Sequence, residues 1–369
     1  MRQFLRSSLG ILFSVFSWPA LAGPVSGYAV VPLVTGNYFL IAPRAINNSG
    51  EVIGTIYVDD AGAELHGFAN RGGVTTLFGT LGGRSSDALG INNAGEVVGR
   101  SETAAGIFHA TLYSGGTVTD LGAPPGRESQ ANGIGSAGMV VGNIPCNCGD
   151  YRAVRFDASG IHELGTLGGS SSTAYAVNGA GQAVGFSYLD ALQSPRAFLY
   201  EHGVMTDLGT LGGDMSAAYA INEAGDIAGE SFVAGAGFVA RPFLYAHGVM
   251  TNLGSLNGAD TSATALNNVG QVVGTASFGF ADPRGFLWQD GVLYDLNALV
   301  DPASGWHIED ARGINDSGQI AARGCNAALG MCGVLRLDPA SLSPVPEPGG
   351  YALLAGGLAL LGAVRRRRA

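Results

Sequence analysis

Ala45-Ile46-Asn47-Asn48-Ser49-Gly50-Glu51-Val52-Ile53-Gly54 returns as Gly90-Ile91-Asn92-Asn93-Ala94-Gly95-Glu96-Val97-Val98-Gly99. The same pattern starts again at Ile134, Val177, Ile221, Leu266 and Ile314. Successive starts lie 43 to 48 residues apart. A fixed period of that size marks a propeller, a solenoid or an array.

Turn chemistry divides one unit into strands. The apolar residue and Asn run into Asn-x-x-Gly, which puts Asn at the first position of a β-turn and Gly where a positive φ is needed. A second apolar run such as Glu96-Val97-Val98-Gly99 follows, so the pair reads as a hairpin. A variable loop leads to a third strand, Arg196-Ala197-Phe198-Leu199-Tyr200 in one unit and Arg241-Pro242-Phe243-Leu244-Tyr245 in the next. His202-Gly203 then turns the chain into a fourth strand, Val204-Met205-Thr206-Asp207-Leu208, and Gly209-Thr210-Leu211-Gly212-Gly213 passes to the next unit. Four strands of ~5–6 residues and four short loops consume about 45 residues. The fold class expected is therefore all-β, a seven-bladed β-propeller of four-stranded antiparallel blades. A solenoid turn needs fewer residues.

Small residues stand before every Ile-Asn step (Ala45, Gly90, Gly133, Ala176, Ala220, Ala265, Gly313), which suits an innermost strand crowded at the axis. The seventh unit has three strands and ends at Asp338-Pro339, whereas Tyr28-Ala29-Val30-Val31-Pro32-Leu33 stands before the first unit where a fourth strand belongs. An open ring would leave two sheet edges exposed. The N-terminal strand is thus expected to pair antiparallel with Val334–Leu337 and close the ring, with Pro32 tolerated on an outermost strand.

Composition agrees with β structure. Sixty of 369 residues are glycine, 46% are hydrophobic and 13% are charged, so there is apolar material for a core and a turn residue for every hairpin. The chain has no lysine. Setting aside Arg2, Arg6 and the four terminal arginines leaves 13 basic against 29 acidic residues. That balance disfavours nucleic acid and anionic membrane as partners.

The two ends carry export signals. Arg2 and Arg6, the apolar stretch Leu9 to Trp18 and Ala20-Leu21-Ala22 form a cleavable secretory signal over 1–22. The propeller is expected over 23–340, a linker over 341–350, and a hydrophobic segment with an arginine tail over 351–369. Val345-Pro346-Glu347-Pro348 precedes an apolar run from Tyr351 to Val364, followed by Arg365-Arg366-Arg367-Arg368. Physically that run is just long enough to cross a bilayer, with the arginines held in the cytoplasm. These three parts resemble the PEP-CTERM sorting signal of Gram-negative bacteria. The resemblance implies a transient inner-membrane anchor, an exosortase as processing partner, and a final place at the cell surface or in the extracellular matrix.

A second resemblance covers most of residues 40–339. His109-Ala110-Thr111-Leu112-Tyr113, Arg196-Ala197-Phe198 and the Asp-Leu-Gly-Thr-Leu-Gly-Gly segments are similar to the HAF family of extracellular repeats. That family implies export and repeats, not a reaction. Its first position is here His66, His109, Arg152, Arg196, Arg241, Arg284 and Cys332, so the last unit departs from it.

An exported chain with four cysteines favours disulfides. Cys325 and Cys332 flank a short loop between two strands, where paired Cβ atoms lie close enough to bridge. Cys146 and Cys148 form the other local pair, a tight ring if joined. Neither pair has zinc-ribbon spacing. No metal or cofactor is expected. The Asn column (Asn47, Asn92, Asn178, Asn222, Asn267, Asn315) reads as turn residues bonding their own backbone, since the loops lack the dense carboxylates of a calcium site.

Function on a repeat scaffold is expected where the repeat breaks. The third unit breaks it with Gly135 in place of Asn, Pro124-Pro125 and the Cys146-Asn147-Cys148 loop. The link into the seventh unit carries Trp306, His307, Glu309 and Asp310. As a binding patch, Trp306 would be a sugar platform. As an enzyme, His307 would be a base oriented by Glu309 or Asp310. No nucleophile elbow, zinc-binding helix or phosphate loop accompanies them. The expectation is a non-catalytic exported protein that scaffolds or binds extracellular polysaccharide or envelope partners. The alternative is a propeller lyase or hydrolase acting on that polymer.

Overall fold

The computed structural model describes residues 27–36, 41–57, 64–146, 149–189, 194–235, 237, 239–278 and 282–340. The signal segment and the sorting tail, from Val345 to Arg368, lie outside the described residues.

Residues 41–77, 82–122, 130–165, 172–207, 212–252 and 260–295 each form one four-stranded antiparallel sheet, with the strands in chain order. A seventh sheet takes three strands from residues 306–339 and its outermost strand from Tyr28–Gly36. The first strand of each sheet meets its counterparts in the neighbouring sheets around one axis. The molecule is a seven-bladed β-propeller.

The ring closes through the N-terminal strand. Tyr28–Gly36 runs antiparallel to Met331–Pro339, from Tyr28 opposite Pro339 to Gly36 opposite Cys332. It is longer than the Tyr28–Leu33 segment read from sequence. A register shift between Pro32 and Val34 absorbs the proline on the outer edge. Tyr28 is buried, and its backbone N–H donates to Leu299 O at 2.7 Å.

The core lies between the blades in successive layers. One layer sets Val141, Ala153 and Leu164 of blade 3 against Ala174, Val177 and Phe198 of blade 4. The next sets Val184, Ala197 and Leu208 of blade 4 against Ala218, Ile227 and Phe243 of blade 5. Phe68, Phe198, Phe243 and Phe286 occupy the same third-strand position and are fully buried. The aromatic residue of the repeat is thus its packing anchor, of the kind whose truncation costs about 3–5 kcal/mol.

Buried serines stitch the layers together. Ser129, Ser172 and Ser216 each accept from the third-strand amide of the preceding blade (Ala110, Ala153, Ala197) at 2.7, 2.9 and 2.9 Å. Each donates in turn to a carbonyl of the connecting segment (Gly122, Gly165, Gly209).

In blade 7, Cys325 faces Cys332 across the second and third strands, and the two are joined by a disulfide. The pairing of Cys146 with Cys148 lies outside the described residues, because Cys148 does.

Candidate functional site

Every innermost strand contains a β-bulge at one position. The register shifts between Pro43 and Ala45, Ala88 and Gly90, Ala131 and Gly133, Ala174 and Ala176, Ala218 and Ala220, Ala263 and Ala265, and Ala311 and Gly313. The residues left unpaired are Arg44, Leu89, Asn132, Tyr175, Tyr219, Thr264 and Arg312. All seven line one axial cavity of about 240 Å³. A bulge inserts a residue that the partner strand does not match and re-aims its side chain. Seven bulges therefore place seven variable side chains around the axis.

Local sequence explains the bulge. The small residue after it abuts the next blade: a Cβ on Gly133 would lie 2.6 Å from Tyr175 O, and one on Gly313 would lie 2.9 Å from Ile46 N. The bulge also presses a strand carbonyl onto the second strand. A Cβ on Gly185 would meet Thr173 O at 1.9 Å, and one on Gly99 would meet Asp87 O at 1.9 Å. Glycine stands there in six blades. Blade 7 has Ala322 at that place, opposite Ala311.

The two mouths of the axis differ. At one mouth stand the Asn-x-x-Gly turns. Asn47 Oδ1 accepts from the Ser49 and Glu51 amides at 3.1 Å each, so the side chain bonds its own turn. Its Nδ2 also donates to Asn92 O of the next blade at 3.2 Å. The same cross-blade bond runs from Asn92 to Gly135, Asn178 to Asn222, Asn222 to Asn267, and Asn267 to Asn315. Asn315 donates to Asn47 O at 3.0 Å and completes the circuit across the seam. Gly135 supplies no side chain, so the circuit has one gap. A Cβ there would sit 2.7 Å from Asn178 O. The column is structural, and its inter-blade half goes beyond the turn role that spacing suggested.

At the opposite mouth, where the second and third strands connect, the surface is aromatic. Tyr188 ends a second strand just before such a connection and Pro195 begins the third strand after it. Tyr175 lies 5.3 Å from Tyr219 and 5.9 Å from Phe186, and Phe186 lies 6.0 Å from Tyr188, all centroid to centroid. A cavity of about 220 Å³ between blades 4 and 5 is lined by these rings with Glu230 and Phe232. A second, of about 270 Å³, shares Tyr175 and Phe186 and continues across blade 3 past Asn132, Asn143, Gln130 and Glu128. The two make one groove, entered from the axis at Tyr175 and Tyr219.

Tyr219 Oη donates to Glu230 Oε1 at 2.8 Å. Burial, with the Glu230 carboxylate beside it, pushes the Tyr219 hydroxyl well above the ordinary phenol range. Burial and Glu230 raise Tyr175 likewise. Both shifts favour the protonated hydroxyl.

Among solved structures, the β-propeller domain of the Trilobed protease from Pyrococcus furiosus superposes with a TM-score of 0.50 at 11% identity, covering 80% of this chain and 94% of that one. The likeness is one of fold alone. That domain is described as having an open velcro topology, whereas here Tyr28–Gly36 completes the last blade. TolB from Acinetobacter baumannii (TM-score 0.45, 17% identity, 66% of this chain) and a puromycin-hydrolyzing peptidase from Mycobacterium tuberculosis (0.48, 14%, 83%) are similar at lower scores. The chain spans 61% and 54% of their respective lengths. No family model matches the sequence, and no curated protein matches it.

The cluster singled out at the seventh unit does not converge. His307 Nε2 lies 3.3 Å from Asp282 Oδ1, while Glu309 pairs with Arg323 at 2.5 Å. Asp310 takes Arg312 at 2.5 Å and the Thr275 hydroxyl of blade 6 at 2.5 Å. Asp87 makes the corresponding bond to Thr55 of blade 1, so Asp310 is a repeated staple between blades. Trp306 packs against a core layer. Strand alternation and the bulge send the four side chains to separate partners. The bulge ring has a signal in the sequence: a variable residue two before the Ile, Val or Leu of the turn, matched by an apolar residue and Gly in the following strand of six units.

Proposed function

We propose that this protein is exported to the surface or extracellular matrix of a Gram-negative bacterium and binds extracellular polysaccharide there without cutting it. The observation that carries the binding half is the groove in which Tyr175, Tyr219, Phe186 and Tyr188 line up beside amide and carboxylate side chains. Aromatic rings give the apolar face of a sugar a platform, and flanking polar groups fix its hydroxyls. The separated partners of His307, Glu309 and Asp310 support a non-catalytic reading.

The export half rests on the signal at 1–22 and on the Pro346-Glu347-Pro348, apolar and arginine tail. By its resemblance, the tail would hold the chain in the inner membrane until an exosortase removes it. The Cys325–Cys332 disulfide fits an oxidising compartment.

One preparation tests both halves. Protein recovered from outside the producing cells should have an intact mass lacking residues 1–22 and those beyond about Gly350. It should also be retarded in native gels containing the producer's own polysaccharide. Tyr175→Ala, expected to lower affinity at least tenfold, should migrate freely. An intact Arg365–Arg368 end on the exported form would remove the sorting reading. Unretarded migration of the wild type would remove the binding one.

A further inference from the structure

The bulge ring is not electrically neutral. Its ionisable side chains, apart from the protonated tyrosines, are Arg44 and Arg312, which stand on adjacent blades and line the same axial cavity as Tyr175 and Tyr219. Arg44 is exposed and has no carboxylate partner among the described residues. Arg312 keeps Asp310 on its Nε, is 44% exposed and lines the cavity. Its charge reaches Tyr219, whose hydroxyl it favours in the ionised form.

This cationic spot sits in a chain with a formal charge of −10. The groove has two carboxylates of its own. Glu230 is engaged by the Tyr219 hydroxyl, and Glu128 lies toward blade 3, away from the axial end. Glu223 and Asp316 stand at the opposite mouth with the asparagine turns. Positive charge on blades 1 and 7 therefore faces, across the axial cavity, the tyrosines of blades 4 and 5 where the aromatic groove opens, and a low-dielectric cleft focuses such a field. A guanidinium fork suits a carboxylate better than it suits hydroxyls.

From this we infer that the groove selects an anionic sugar, a uronate. The ring stacks over Tyr175 and Tyr219, and the C6 carboxylate points to Arg44 and Arg312. The inference rests on the polysaccharide-binding reading and deepens it. It fixes one end of the ligand: the acidic residue lies at the axis and the chain leaves along Phe186 and Tyr188.

Titration calorimetry with oligogalacturonate and its methyl ester separates charge from sugar, since the two differ in the carboxylate alone. The exported protein should bind the acid at least about tenfold more tightly than the ester, and that ratio should fall as salt rises. Arg44→Gln should lower the ratio severalfold, chiefly by weakening binding of the acid. Arg44→Lys should keep most of the preference and shows that the position tolerates exchange. Tyr175→Ala should weaken acid and ester together. Equal binding of acid and ester by the wild type, or a ratio unmoved in Arg44→Gln, overturns the uronate inference and leaves polysaccharide binding standing. Binding of neither oligomer, with neutral glucan oligomers bound instead, overturns the inference in the same way. Binding of no sugar at all overturns the underlying reading.

Discussion

Gly185→Ala should destabilise the protein by at least about 3 kcal/mol, the upper end of what overpacking costs. The added Cβ would sit 1.9 Å from Thr173 O, 2.9 Å from Thr173 C and 3.0 Å from Ala174 Cα. All three atoms are backbone, so no side-chain rotation relieves the clash. The two strands can accept the methyl group only by moving apart locally, which would displace Tyr175 from its place in the axial ring. For a domain of this size the midpoint of thermal unfolding should fall by roughly 6 °C or more. Gly79→Ala is the matched control, since its Cβ meets nothing within 4 Å and its φ is not positive. It should stay within about 0.5 kcal/mol of the wild type. Equal midpoints for the two variants in a calorimetric scan would show that the bulge does not need glycine.

Removing residues 23–36 should have a comparable or larger effect, by a different route. The N-terminal strand buries Tyr28 against Val300, Ile308 and Leu337, and Val34 against Ile41, Phe68 and Val334. At ~2 kcal/mol for each large apolar side chain, losing these with the partly buried Val30 and Leu33 removes about 5 kcal/mol. That is a large part of the stability of a typical domain. It also bares the edge of Met331–Pro339, a template for pairing with another chain. The Asn315–Asn47 bond and the pairing of Asp316 with Asn48 at 2.7 Å still span the seam. The truncated protein is therefore expected to fold in part and to associate. Size-exclusion chromatography should show oligomers or aggregate in place of monomer. A monomeric truncation with an unchanged midpoint would mean that the strand is not the closure.

The blades could be read in the sequence because each element of a blade has a local cause. Asn47 and Gly50 make a turn whoever their neighbours are, and Val52-Ile53-Gly54 must follow as a strand. The closing strand could be read because the seventh unit stops at Pro339 without a fourth strand. The site could not be read in the same way. Arg44, Tyr175 and Arg312 lie on different blades, and what gathers them is a bulge that two strands make jointly. Composition drew attention instead to Trp306, His307, Glu309 and Asp310, which are neighbours in sequence. On a strand, neighbours point apart, and here each found its own partner. The asparagine column was half legible: its turn bonds are local, and its second bond crosses to a blade more than 40 residues away.

The central claim is that the aromatic face of a closed propeller holds polysaccharide and leaves it whole. The most direct measurement follows one mixture of the exported protein and the producer's polymer over time, reading the bound fraction together with new reducing ends and unsaturated products. The expected result is saturable retention with no product above the polymer-only control and no change in polymer length. Product that grows in proportion to enzyme concentration, and that Tyr175→Ala or Tyr219→Phe suppresses, would contradict it and make the groove the active site of a lyase or hydrolase.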